Sequence, residues 1–68
     1  MAIETMGTFC LNLSEMERTT LHLVLEELVK ETRVELRRTE AFAARQVVEA
    51  RLSTLESLLD KVRALAVQ

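Results

Sequence analysis

The sequence has no proline, tryptophan or tyrosine, and only one glycine, one histidine, one cysteine and two phenylalanines. Each scarcity excludes something. With Gly7 the lone glycine, there is no glycine-rich phosphate loop and no G-x-S-x-G nucleophile elbow. Cys10 cannot close an internal disulfide and has no C-x-x-C partner, so a reducing compartment is the default. It also has no neighbouring histidine or cation in sequence to depress its thiol pKa, and reads as a small half-buried residue rather than a nucleophile. The absence of tryptophan and tyrosine removes the usual platforms for stacking bases. Nine basic residues against eleven acidic ones give a formal charge of −2, so no basic field across the chain calls for nucleic acid. No apolar run approaches the ~18 residues of a membrane span, and the first residues lack the basic stretch and sustained apolar run of a signal peptide. The expectation is a cytoplasmic protein with no membrane partner.

What is present is helix-forming. Hydrophobic residues make up 49% of the chain and charged ones 29%, with leucine, valine, alanine, glutamate and arginine prominent, as in bundles and coiled coils. That apolar content argues against intrinsic disorder.

The organising stretch is SEMERTTLHLVLEELVKETRVELRRT, Ser14 to Thr39. Ser14 and Glu17 fit the S-x-x-E capping box, in which the serine hydroxyl and the glutamate carboxylate each accept from the other residue's backbone N–H. Glu15 and Glu17 suit the positive end of the helix dipole, and Arg37 and Arg38 suit the negative end. A helix over about 14–38 follows. Spaced at 3.6 residues per turn, Leu21, Val24, Leu25, Leu28, Val29, Thr32, Leu36 and Thr39 share one wide arc, and Glu15, Thr19, His22, Glu26, Lys30, Arg33 and Arg37 lie opposite. Met16, Leu23 and Val34 form a second, thinner apolar line on the polar side.

After Thr39 the helical pattern resumes in a new phase, giving a second helix over about 40–66. Ala41, Ala44, Val48, Leu52, Leu55, Leu59, Val62 and Ala66 step by three or four, a heptad seam from Val48 onward. Leu58 and Leu65 widen it on one side, and Arg51 intrudes near it, able to lay its stem along the seam. A single continuous rod is sterically allowed across Arg37-Arg38-Thr39-Glu40. Three features favour a turn: Thr39 can cap a helix beginning at Glu40, the two arginines suit a helix end, and the apolar arc changes phase. Residues 1–13 stand apart as an extended segment or tail. Phe9, Leu11 and Leu13 alternate with Thr8, Cys10 and Asn12, the period of a half-buried strand, which would need the same strand of a partner to pair with.

The expected fold is all-α: a two-helix antiparallel hairpin that homodimerises into a four-helix bundle, with a short extended N-terminal segment. One hairpin of this length has a single seam and little interior, whereas two hairpins bury both stripes at once. The residues expected to pack the core and the dimer are Leu21, Val24, Leu25, Leu28, Leu36, Val48, Leu52, Leu55, Leu59 and Val62. No catalytic residue, metal site or cofactor is expected. His22 and Glu26 are one helical turn apart, but a specific metal site needs third and fourth ligands, and Thr19 stands where the glutamate of an E-x-x-H motif would be. A solvated histidine is the expectation. The function expected is therefore non-enzymatic: self-assembly, or presentation of a helical face to another protein.

A second reading concerns nucleic acid. Arg33, Arg37, Arg38 and Arg45 gather around the turn, where they could meet phosphates or an acidic protein surface, with Glu31, Glu35 and Glu40 interleaved. TFCLNLSEMERTTLHLVLEEL, Thr8 to Leu28, superficially resembles the strand and first helix of ribbon-helix-helix DNA-binding dimers. The resemblance spans about the first third of the chain and implies an intersubunit ribbon reading the major groove through Thr8, Cys10 and Asn12. The sequence departs from that pattern in having no lysine or arginine in the strand, a first helix about twice as long, and no glycine-containing turn after it.

Overall fold

The computed structural model describes residues 7–65, and they form two helices, α1 (Glu15–Arg38) and α2 (Phe42–Leu65), with no strand. Each helix has 24 residues, or roughly 36 Å at 1.5 Å per residue. Residues 1–6 of the expected tail, and Ala66 at the expected end of the second helix, lie outside the described residues.

α1 begins where the capping box places it. The Glu17 N–H donates to Ser14 Oγ at 3.1 Å, and the Ser14 N–H donates to Glu17 Oε1 at 2.8 Å. Ser14 itself is extended, at φ −71° and ψ 166°, so the chain enters the helix through a fully satisfied first turn. Residues 8–13 ahead of it are neither helix nor strand in the single chain.

The chain turns back on itself after Arg38, which excludes the continuous rod. Thr39 leaves helical geometry at φ −89° and ψ 119°, and no described residue has a positive φ, so the turn needs no glycine. The role expected of Thr39 is corrected here. It closes α1 rather than opening α2, because its groups find acceptors behind it. Its N–H donates to Leu36 O at 3.2 Å and its hydroxyl to Glu35 O at 2.6 Å. The second helix starts at Phe42 instead of Glu40, and its first bond runs from the Arg45 N–H to Ala41 O at 2.9 Å.

Across the seam Glu26 meets Arg63, Arg33 meets Glu56 and Glu35 meets Arg51. Residue numbers rise on one helix as they fall on the other, so the pair is antiparallel. The centre of the seam is Leu25, Val29, Leu59 and Val62, with Leu21, Leu52 and Leu55 packed against it half-buried. Val48 and Thr32 are buried nearer the turn. These are the positions that a helical period puts on the inner edge of each apolar arc, and burying them is what holds the two helices together.

Candidate assembly surface

Two ion pairs mark one side of the hairpin: Arg33–Glu56 at 2.8 Å and Arg63–Glu26 at 3.7 Å. Between them runs a shallow groove over Val29 and Leu59 whose rim alternates Lys30, Arg33 and Arg63 with Glu26, Glu56 and Asp60. Cations and anions are balanced there, so this side is closed to neither charge and selective for neither.

His22 borders this side. The expectation of a solvated ring is corrected: the side chain is 31% exposed, and its Nε2 is buried without a hydrogen bond. That nitrogen stands 3.4 Å from Glu26 Oε2, an arrangement that makes an ion pair only when the ring is protonated. The carboxylate is shared with Arg63. Among the described residues no group of three or more His, Cys, Asp or Glu side chains is placed to hold a metal ion.

The opposite side is open. The Arg51–Glu35 pair, at 3.2 Å, shows which flanks of α1 and α2 adjoin there. Following α1 by helical turns from Glu35 back towards its N-terminus, the flank carries Glu31, Leu28, Val24, Leu21 and Glu17. Following α2 from Val47 onward, it carries Arg51, Thr54, Leu58, Lys61 and Leu65. Val24, Leu28, Leu58 and Leu65 are between 39% and 48% exposed although they are large and apolar, and Val47 is more exposed still. A dip lined by Leu13, Met16, Leu21 and Val24 extends the apolar surface around the start of α1. Of the residues expected to pack the core and dimer, Leu25, Val48, Leu59 and Val62 are thus buried within the hairpin, Leu21, Leu36, Leu52 and Leu55 are half-buried, and Val24 and Leu28 face outward.

This flank is also divided by charge. On α1 it bears Glu17, Glu31 and Glu35, with Glu27 at its outer rim and Arg38 one turn past Glu35 at the helix end. On α2 it bears Arg51, with Lys61 towards the rim, and no acid. The acids of α2, Glu49, Glu56 and Asp60, lie towards the other side, where Glu56 pairs with Arg33. The sequence shows these charges, but their sorting onto one shared surface depends on the antiparallel pairing.

Of the arginines expected to gather at the turn, Arg37, Arg38 and Arg45 lie there and Arg33 lies further along the seam. Arg33 is committed to Glu56. Arg45 bends back under the turn: its Nη1 donates to Leu36 O at 2.9 Å and to Thr39 O at 3.1 Å, and Nη2 lies 3.8 Å from Glu49. It gives the Leu36 carbonyl, which already accepts from the Thr39 N–H, a second donor, and it caps the Thr39 carbonyl beyond the end of α1. Arg37 and Arg38 remain exposed at the tip. Cys10 is exposed, not half-buried as expected. Among the described residues no helix is long and apolar enough to cross a membrane. Comparison with protein-family models, curated proteins and solved structures finds no match to this chain.

Proposed function

We propose that this chain is a small non-enzymatic self-assembly module of the cytoplasm, two hairpins closing on each other through the open flank to make a four-helix bundle. The observation that carries the reading is the flank itself: four large apolar side chains beside the seam stay 39–48% exposed, while five hydrophobic side chains are buried among the described residues. Phe9 and Leu11, exposed ahead of α1, would find apolar cover on the same assembly.

Sedimentation equilibrium of untagged wild type and two variants tests the reading. Leu28→Asp places a charge at the middle of the flank and is expected to abolish the dimer. Glu26→Ala alters the opposite side and is expected to leave it intact. Equal tolerance of both substitutions would overturn the assignment of faces. Salt-sensitive retention of duplex DNA or structured RNA, lost on changing Arg37 and Arg38 to alanine, would favour the nucleic-acid reading instead.

A further inference from the structure

We infer that the two copies meet with their turns at the same end, α1 of each lying against α2 of the other around a twofold axis parallel to the helices. The inference rests on the dimer proposed above and specifies the surface its partner must present. Its basis is the charge division of the open flank. The α1 share carries Glu17, Glu31 and Glu35 with Glu27 at its rim, and a single base, Arg38, at the turn end; the α2 share carries Arg51 and Lys61 and no acid. A second copy can be laid on this face in two symmetric ways that keep neighbouring helices antiparallel.

In one, the copy is turned end over end, so that α1 lies on α1 and α2 on α2. The acids then oppose acids: Glu27 approaches its own symmetry mate near the middle of α1, and Glu35 comes level with Glu17 of the partner subunit. In the other, the copy is rotated about the long axis, so that α1 lies on α2. Residues already level within one hairpin are then level between hairpins. Because Glu35 and Arg51 pair within the chain at 3.2 Å, Glu35 also comes level with Arg51 of the partner subunit, and the two pairs form an alternating square. By the same register, Lys61 of the partner subunit comes level with Glu27 at the rim, while Leu28 meets Leu58 of the partner subunit and Val24 meets Leu65 of the partner subunit. This arrangement sets Val24 and Leu28 on apolar residues and Glu27 and Glu35 level with bases, whereas the end-over-end one sets Glu27 on Glu27 and Glu35 on Glu17 of the partner subunit. Exposed pairs of this kind add little affinity but discriminate strongly between arrangements, since like charges brought together are penalised.

The test is a distance. Glu40, exposed in the turn, is changed to cysteine in a Cys10→Ser background and spin-labelled, and the label-to-label distance is measured by pulsed dipolar spectroscopy. Turns at the same end put the labels within about 25 Å, two interaxial spacings and the label arms. Turns at opposite ends put them a helix length apart, roughly 36 Å or more, and that result would overturn the inference while leaving the dimer standing. A sample that sediments at 7.8 kDa with no dipolar signal would refute the dimer itself, and this inference with it. A second variant probes the charges directly. Glu27→Lys with Glu31→Lys is expected to raise the dissociation constant about tenfold at low salt, an effect that fades at high salt. An unchanged constant would mean the acids do not face Lys61 and Arg51 of a partner.

Discussion

Leu25 is 3% exposed and packs against Val29, Leu59 and Val62, so Leu25→Ala removes methyl groups from the centre of the seam and leaves a gap that two helices cannot easily close. The expected cost is about 2–4 kcal/mol. Glu26, the next residue, sits at the rim, where its carboxylate meets His22 at 3.4 Å and Arg63 at 3.7 Å with 38% of the side chain exposed. Solvent screens such pairs, and Glu26→Ala is expected to cost no more than about 1 kcal/mol. Urea denaturation of both variants at one fixed protein concentration checks the contrast. Leu25 was legible in the sequence because its position repeats every helical turn with Val29 and Thr32. The position of His22 was not: a ring on the nominal polar face still lost a nitrogen to burial. Helical spacing put Met16 and Leu23 on the polar side, and they are exposed at 78% and 59%.

The two helices differ in how openly their ends are written. The start of α1 is a local affair, decided by Ser14 and Glu17 within one turn, and the sequence contains everything that fixes it. Its end is settled by Thr39 together with Arg45, nine residues beyond Leu36, and that contact exists only once the chain has doubled back. The sequence therefore showed a basic residue near a turn and could not show that its guanidinium caps the preceding helix. Glu40 and Ala41 likewise became the link, where spacing alone had placed the first turn of α2. Arg45→Met keeps the aliphatic stem and removes the donors to Leu36 and Thr39. It is expected to lower stability by about 1–2 kcal/mol. Amide hydrogen exchange should show faster opening in the last turn of α1, with the turn around Ser14 unaffected.

At the scale of the whole molecule, the phase change after Thr39 and the matched helix lengths were enough to read a hairpin. What they could not reveal is how the broad apolar arc of α1 divides. Its inner edge, Leu25, Val29 and Thr32, is spent on α2, and its outer edge, Val24 and Leu28, is left facing out beside Leu58 and Leu65. That division depends on the angle at which two helices settle, which no one-dimensional period contains. Among the described residues five hydrophobic side chains are buried, which is why the outer edge matters: small domains hide too little surface to be secure alone, and in the proposed dimer a second copy would supply the missing layer. Stability would then be tied to concentration, because unfolding and dissociation would become one event. The most direct measurement is thermal unfolding of the untagged chain over a hundredfold range of concentration, with mass followed by light scattering. A folded species of twice 7.8 kDa, whose midpoint rises with concentration, is the predicted result. Cooperative melting of a 7.8 kDa species, at a midpoint indifferent to dilution, would contradict it.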